Sequence, residues 1–595
     1  MSLTERYEHM KERLMLGNEA VARGLYEANC AFVSSYPGTP STEITEYAAE
    51  YDDIYAEWAP NEKVAAEAAY GASLAGVRAF SGMKHVGLNV AADPVFTASY
   101  TGVNAGLVIA VADDPGMHSS QNEQDSRHYA RAAKLPMLEP ADSLECRDYT
   151  KLAFELSERF DTPVFLRLST RISHSRSAVA ESPRDETAPA RPYVKNPAKY
   201  VMVPANARRR HPLVERRMAD MAVWSEGASV NRVICGKGSG IGVISSGIAF
   251  QTAREALGDN AAYLKLGMIH PLPDKLISDF AKTVDKLYII EELDDVIESH
   301  CRALGIECQG KELFSFEGEY TVEAVRKAVL GVSAERGAAP KAADVPGRPP
   351  VLCPGCPHRG LFHVLNKMKL TVTGDIGCYT LGAAPPLSAM DLTLCMGASV
   401  SALHGFVKAD PEAAKRTVGV LGDSTFAHSG LTGLMNIVYN QSNATLIILD
   451  NAITGMTGHQ QNPTTGMTLK RRPTHSLDLA AVCRALGVGR VDVIDSHDID
   501  AMEPLLREHL ALDEPSVIIA RRPCVLLPEI DRQAPLSANE KCKNCKACLR
   551  IGCPAVSAAG GSVSIDATQC FGCGLCARVC RFGALDKVKP GGEPS

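Results

Sequence analysis

The chain has 595 residues, of which 45% are hydrophobic and 22% are charged, and its formal net charge is −7. This length predicts three or four domains, and the acidic balance argues against general nucleic-acid binding. We find no uncharged apolar run of about 18 residues and therefore expect no membrane span. The charged, amphipathic start is not typical of a secretory signal, so we expect a cytoplasmic protein.

The first 180 residues predict an α/β domain. A helix opens at Gly17, and a short strand from Cys30 leads into the turn Tyr36–Glu43. Pro and Gly make this turn rigid, and Ser41 or Thr42 can cap the next helix. An alanine-rich helix follows, which suits close packing.

A polar loop and a long connection complete this part of the chain. The strand Gly106–Asp114 ends in acidic residues and precedes the loop His118–Arg127. Dense polar side chains there indicate a site, with a solvated surface loop as the alternative. Residues 181–232 predict a surface connection, with Arg208–Arg210 in a solvated turn.

The remaining divisions follow from strand patterns and composition. Strands at Ile241–Ser245 and Leu287–Ile290 indicate a smaller α/β domain, and an Ala/Gly/Pro-rich stretch after it indicates a linker. The predicted divisions are a small α/β domain (233–330), a linker (331–350), a second large α/β domain (351–530) and a cysteine-rich tail (537–590).

The second large domain contains a βαβ pattern with a polar residue after each strand. The strands are Thr417–Leu421 and Ala444–Leu449, with a helix near Gly433–Tyr439 between them. Asp423 and Asn451 follow the strands, at the edge where open α/β sheets bind ligands.

This pattern resembles the thiamine diphosphate motif. Mg²⁺ prefers oxygen ligands, which Asp423, Asn451 and the Ile453 carbonyl can supply together with the diphosphate. Gly422 permits close approach of the backbone to a phosphate, and Ser424 departs from the commoner glycine. A plain Rossmann-like crossover is the alternative. The candidate cofactor-binding residues are Gly422, Asp423, Ser424, Asn451, Ile453 and Thr457.

Eight of the 19 cysteines lie in the tail, in two runs that resemble a two-cluster bacterial ferredoxin. The resemblance implies that the last cysteine of each run ligates the other cluster. The implied 4Fe–4S ligand sets are Cys542, Cys545, Cys548 and Cys580 for one cluster, and Cys570, Cys573, Cys576 and Cys553 for the other. The first run has one residue more than usual before Cys553, and Arg581 replaces an expected proline. A zinc-binding tail is the alternative.

A third cysteine set is spread along the second large domain. Cys353, Cys356, Cys378 and Cys524 fall at strand ends near the diphosphate motif, where they are candidates for a third cluster. The alternative is a structural thiol pair, Cys353 with Cys356, and an ordinary buried cysteine at 524, since distant cysteines cannot be paired from sequence.

The whole chain resembles the 2-oxoacid ferredoxin oxidoreductases. Tyr36–Thr42, Cys353–Cys356 and Gly377-Cys378 match motifs of that family, and the domain order matches as well. The resemblance implies an α/β fold with two doubly wound thiamine domains, a smaller α/β (transketolase C-terminal-like) domain between them and a ferredoxin-like α+β tail. The cofactor would lie between the large domains.

The resemblance also implies catalytic residues. Glu62 matches the glutamate that contacts the aminopyrimidine, with Glu67 as the fallback. Thr39 would contact the substrate carboxylate region, and Arg127 would pair with an anion. His428 and His459 flank the diphosphate motif, where either a proton-transfer role or a structural role fits.

The implied reaction is oxidative decarboxylation of arylpyruvates such as indolepyruvate to aryl-acetyl-CoA and CO₂, with coenzyme A as co-substrate and ferredoxin as acceptor. The implied partners are a smaller β subunit carrying a γ-type domain, in an α₂β₂ heterotetramer, and an external ferredoxin attracted by the basic tail. Another 2-oxoacid substrate, a non-oxidative thiamine decarboxylase and an electron-transfer scaffold are the alternatives.

Overall fold

The computed structural model describes residues 12–186, 191–238, 240–332, 347, 349–559 and 562–588. The predicted amphipathic start and most of the predicted linker 331–350 therefore lie outside the described residues. The chain divides into two compact units, Met1–Lys341 and Ala342–Ser595. In the described part, no helix is both long enough and apolar enough to cross a membrane.

The first unit is built on a seven-stranded sheet whose strands are parallel except at one edge. In spatial order the strands are Met268–His270, Met137–Leu138, Val164–Ser169, Leu107–Asp113, Arg78–Lys84, Cys30–Ser35 and Tyr55–Trp58. The edge strand Met268–His270 runs antiparallel. Helices cover the sheet at Gly17–Glu27, Thr42–Ala48, Glu62–Ala75, His85–Thr101, Arg127–Ala133, Ser143–Phe160 and Thr170–His174. A separate antiparallel pair joins Glu12–Leu16 to Arg176–Ala180.

The predicted surface connection 181–232 contains a 23-residue helix, Pro204–Glu226, which corrects the expectation of a turn at Arg208–Arg210. The helix begins at a proline, where no backbone N–H bond is lost. Arg217 donates to the Ser99 carbonyl (2.7 Å), and Arg210 donates to the Tyr100 carbonyl (2.7 Å). These bonds fasten the helix to the end of helix His85–Thr101.

The small α/β domain has a four-stranded sheet and shares one hydrophobic core with the first domain. Its strands, in spatial order, are Lys286–Ile290, Ile241–Ser246, Ala262–Leu266 and Arg232–Ile234. Its helices are Gly247–Leu257, Asp274–Ala281, Val296–Ala303 and Val322–Leu330. Because the strand Met268–His270 of this domain completes the seven-stranded sheet, the two predicted domains form one unit.

The second unit contains a five-stranded parallel sheet. In spatial order the strands are Thr371–Thr373, Thr417–Gly422, Thr445–Asp450, Ser516–Arg521 and Arg490–Asp495. Helices flank it at His358–Met368, Ala398–Ala409, Leu431–Tyr439, Leu479–Ala485 and Ile499–Leu510. The strands Thr417–Gly422 and Thr445–Asp450 are almost wholly buried, as their apolar sequences predicted.

The tail belongs to the same unit and consists of short elements. Leu536–Ala538 pairs with Leu585–Lys587, and Val556–Ala559 pairs with Ser562–Ile565, both antiparallel. A 3₁₀ turn at Ala547–Ile551 and a short helix at Leu575–Arg578 complete the α+β arrangement.

Candidate active site

The helix after the first motif strand begins earlier than the sequence predicted. It opens at Asp423, passes through one π-helical turn at Phe426–Gly430 and continues as Leu431–Tyr439. Single π turns inside helices occur frequently at functional sites. Gly422 pairs in register with Leu449, so Asp423, directly after its strand, and Asp450, the last residue of its strand, both lie at the carboxyl edge of the sheet.

Five residues at this edge form a closed hydrogen-bonded group, which we call the polar ring: Asp423, Ser424, Thr454, Asn462 and Thr464. The Thr454 hydroxyl donates to Ser424 Oγ (3.0 Å) and accepts from Asn462 Nδ2 (3.2 Å). The Thr464 hydroxyl lies 2.7 Å from Asn462 Oδ1 and 3.2 Å from Asp423 Oδ2. The Ser424 N–H donates to Asp423 Oδ1 (2.7 Å). Thr454, Asn462 and Thr464 were not predicted.

The charge state of Asp423 reflects its surroundings. Burial, followed by the nearby Asp450 carboxylate, raises the pKa of Asp423 to about 7. Asp423 is a buried carboxylate beside a second acid, and a bound cation would stabilise its ionised form. Asn451 and Ile453, which we predicted as the other protein ligands, are both buried just after the next strand. These residues therefore fit a magnesium–diphosphate group.

Two predicted residues have contacts that the motif did not indicate. A Cβ on Gly422 would lie 2.8 Å from Cε1 of Tyr379, so the space beside this glycine is filled by an aromatic ring. The Thr457 hydroxyl forms a hydrogen bond within its own loop, 2.5 Å from Gln460 Oε1.

The two histidines that flank the motif differ in exposure. His428 is buried, with Nδ1 2.5 Å from the Ser429 hydroxyl, and His459 is exposed.

The third cysteine set comes together beside these residues. Burial, followed by the nearby Cys524 and Cys353, raises the pKa of Cys378 to about 11. Burial likewise raises the pKa of Cys356 to about 12, again with Cys353 and Cys378 as neighbours. The Cys524 N–H donates to the Asn451 carbonyl (3.0 Å). The four thiols thus converge next to the second motif strand.

Each predicted ligand set of the tail lines a cavity of its own. One cavity is lined by Cys553 together with Cys570, Cys573 and Cys576. The other is lined by Cys580 together with Cys542, Cys545 and Cys548. The last cysteine of each run therefore lies with the other run, which is the exchange that the ferredoxin resemblance implied.

The spacing of the sulfur atoms argues against zinc. Zn–S bonds of about 2.3 Å in a tetrahedron put sulfurs roughly 3.8 Å apart. Among the described residues, the one group of three His, Cys, Asp or Glu ligand atoms within 4.8 Å of each other is Asp125, His128 and Asp294. Within the described residues, no three sulfur atoms of a cysteine set lie within 4.8 Å of one another.

Arg359 and one close approach of the backbone join the third cysteine set to the tail. The Arg359 guanidinium is buried and donates to the carbonyls of Leu352, Cys353 (3.0 Å) and Ile551 (3.1 Å). A Cβ on Gly355 would lie 2.9 Å from Cβ of Phe571. Since Phe571 follows Cys570, the third set and one tail set are close neighbours.

In the first unit, Glu62 begins the helix Glu62–Ala75, which Asn61 caps by accepting from the Val64 N–H (2.9 Å). Glu62 is buried, and a Cβ on Gly87 would lie 2.4 Å from its Oε1. Thr39 is half-buried in the turn after strand Cys30–Ser35. Glu67, the fallback, is exposed and pairs with Lys63.

Two predictions about this region need correction. Ser41 does not cap helix Thr42–Ala48, because its hydroxyl donates to the Gly38 carbonyl instead (2.9 Å). Arg127 is only 1% exposed and pairs with Asp125 and Glu291, and it also donates to the carbonyls of Glu292 and Asp294. The guanidinium has no exposed edge for a substrate carboxylate.

Comparison with known families agrees with this arrangement. Residues 23–229 match the family described as "Pyruvate flavodoxin/ferredoxin oxidoreductase, thiamine diP-bdg". Residues 375–520 match "Thiamine pyrophosphate enzyme, C-terminal TPP binding domain", and residues 563–586 match "4Fe-4S binding domain". Fold, site and family matches define a thiamine-diphosphate-dependent 2-oxoacid:ferredoxin oxidoreductase.

Curated relatives make the family more specific. The chain is 39% identical to indolepyruvate oxidoreductase subunit IorA of Archaeoglobus fulgidus and 40% identical to that of Pyrococcus horikoshii, in each case over 97% of both chains. The chain belongs to this IorA family. It is also 24% identical to 2-oxoglutarate synthase subunit KorA of A. fulgidus, over 48% of this chain and 89% of that one.

A solved structure of 2-oxoglutarate:ferredoxin oxidoreductase from Magnetococcus marinus is 18% identical, with a TM-score of 0.46, over 55% of this chain and 66% of that chain.

Proposed function

We propose that this chain is the catalytic subunit of an enzyme that oxidatively decarboxylates arylpyruvates, with indolepyruvate as the typical substrate. The 2-oxoacid loses CO₂ and two electrons, coenzyme A takes the acyl group, and the electrons pass through 4Fe–4S clusters to ferredoxin. The names of the IorA relatives support the choice of substrate.

The observation that carries the proposal is a continuous series of contacts in the second unit. The Cys524 N–H bonds to Asn451, next to the polar ring. Gly355, between Cys353 and Cys356, contacts Phe571 of the tail. The proposed diphosphate-binding edge is thus followed by the third cysteine set and then by the tail, an order that suits an electron path from a cofactor to an external acceptor.

In the assembled enzyme, two groups of residues would bind the two ends of the cofactor. Asp423, Asn451 and the Ile453 carbonyl would hold Mg²⁺, and Glu62 would hold the aminopyrimidine. Thiamine diphosphate, when bound, supplies the carbanion chemistry that removes CO₂ from a 2-oxoacid. Thr39 lies in the turn that would contact the substrate.

Iron–sulfur clusters suit the second half of the reaction because each accepts one electron at a time. We assign two clusters to the tail sets and a third to Cys353, Cys356, Cys378 and Cys524. The thiolates must stay reduced to ligate iron, which favours a cytoplasmic location.

Two kinds of partner complete the proposal. A smaller β subunit would carry the γ-type domain, in an α₂β₂ assembly, and the word "subunit" in the relatives' names supports a partner. The external acceptor would be an acidic ferredoxin. Lys541, Lys543 and Lys546 are exposed beside the Cys542 set, where positive charge would attract it.

The test is CoA-dependent reduction of a viologen dye by the chain co-expressed with its small partner and purified without oxygen. The substrates are indolepyruvate, phenylpyruvate, pyruvate and 2-oxoglutarate. We expect reduction with the two aryl acids only. Reduction with pyruvate or 2-oxoglutarate instead would support the proposed reaction but contradict the proposed arylpyruvate substrate. No reduction by an enzyme that contains its cofactor and clusters would contradict both the reaction and the substrate.

A further inference from the structure

The segment Lys84–Gly87 lies between the two parts of the first unit that have proposed catalytic roles. Strand Arg78–Lys84 ends there, and helix His85–Thr101 begins at the next residue. A Cβ on Gly38, next to Thr39, would lie 3.1 Å from Cβ of Lys84. At the other end of the segment, Gly87 lies directly against Glu62.

The Lys84 side chain is buried without a counter-ion. It is 8% exposed, and its ammonium donates to the Ser119 carbonyl (2.6 Å). No carboxylate among the described residues lies within ion-pair distance of it, and two of its three N–H donors have no acceptor there. Burial of an unpaired ammonium is costly, so such a group is expected to have an anionic partner.

The acid that attracts Lys84, Asp114, does not fill this role. Asp114 attracts Lys84, but its oxygens already accept from the Ser119 N–H (2.9 Å) and from the hydroxyls of Ser120 (2.5 Å) and Thr170 (2.6 Å). Burial lowers the pKa of Lys84 to about 8, so the side chain is still mostly charged at neutral pH.

A second buried lysine shows what a satisfied site in the same unit looks like. Lys265 is 0% exposed, and its ammonium lies 2.6 Å from Glu145 Oε2 and 2.7 Å from the Tyr149 hydroxyl. Lys265 has its anion within the protein, whereas Lys84 does not.

We propose that Lys84 binds the carboxylate of the 2-oxoacid substrate, in the role that the sequence had suggested for Arg127. The inference rests on the proposed function. The Lys84 ammonium has free N–H donors and lies near the Thr39 turn and Glu62. This position is at the carboxyl edge of a parallel sheet, where open α/β sheets bind ligands. The diphosphate of the cofactor is a second source of negative charge, and the test separates the two.

The experiment measures binding of 3-phenyllactate and its neutral amide to the assembled, cofactor-loaded enzyme by isothermal titration calorimetry. Phenyllactate has the carboxylate but no ketone to react. In Lys84→Met we expect its Kd to rise roughly ten-fold or more, with the Kd of the amide unchanged. Lys84→Arg should retain most of the preference for the acid, and Lys134→Met, at a half-buried site paired with Glu215, should retain all of it.

An unchanged ratio of the two Kd values in Lys84→Met would overturn the proposal. Loss of bound thiamine diphosphate with that ratio unchanged would also overturn it, and would assign the cation to the diphosphate. If Lys84→Met does not assemble, Lys84→Gln, which can still donate to Ser119, is measured in the same way. Failure of the wild-type enzyme to turn over any 2-oxoacid would reject the proposed function separately.

Discussion

The contact between Gly87 and Glu62 gives a sharp test of the proposed catalytic glutamate. An alanine Cβ at position 87 would lie 2.4 Å from Oε1, 2.7 Å from Cγ and 2.8 Å from Cδ of Glu62. Carbon and oxygen atoms in contact stay roughly 3.5 Å apart, so the carboxylate must move by about 1 Å. A misplacement of this size can lower a rate by about 100-fold, or about 2.7 kcal/mol in the barrier.

We therefore expect Gly87→Ala to lower kcat of viologen reduction by about two orders of magnitude, with the iron content unchanged. The matched control is Gly71→Ala, in the helix that Glu62 begins, because a Cβ there would have nothing within 4 Å. Alanine should stabilise that helix by about 1 kcal/mol and leave kcat alone. Full activity in a folded Gly87→Ala enzyme would refute the role of Glu62.

Three further predictions follow from other parts of the structure. Arg359→Met leaves three carbonyls without their donor and should destabilise the second unit by about 3 kcal/mol or more, seen as a lower Tm; an unchanged Tm would contradict this. Burial, with nearby cations such as Arg131, lowers the pKa of His270 to about 4 from an ordinary 6.5. As the pH drops, the unfolded chain therefore protonates His270 before the folded chain does. The free energy of unfolding falls by about 3 kcal/mol between about pH 6.5 and pH 4. His270→Gln should remove this component, so parallel stability–pH curves for the two proteins would argue against it. Reversing Lys541, Lys543 and Lys546 to Glu should slow reduction of an acidic ferredoxin at low salt but not of viologen, and an equal ferredoxin rate would exclude docking at this surface.

Local patterns carried most of the successful sequence predictions. The cysteine runs of the tail predicted which four cysteines line each cavity, because all eight residues lie within 39 positions and follow a recurring spacing. The two motif strands were readable because continuous apolar runs end in polar residues. Asp423 and Asn451 therefore stood out without any knowledge of the fold.

The misses depend on contacts between distant residues. Thr464 reaches Asp423 across 41 positions, although the polar run after Gln460 was a signal for it. Arg127 pairs with Glu291, 164 positions away, so its burial could not be read from its own polar loop. Helix Pro204–Glu226 has a polar composition and an internal proline, which hid its helical character until its contacts with helix His85–Thr101 were visible.

The most direct test of the central claim is electron transfer from the substrate to the clusters within one assembled enzyme. The measurement is cluster reduction, followed by electron paramagnetic resonance, after phenylpyruvate is added without oxygen to the wild type and to Asp423→Ala of equal iron content. We predict reduced clusters in the wild type and none in Asp423→Ala, although dithionite should still reduce the variant. Substrate-driven reduction in Asp423→Ala would contradict the assignment of Asp423 as a ligand of the cofactor's Mg²⁺.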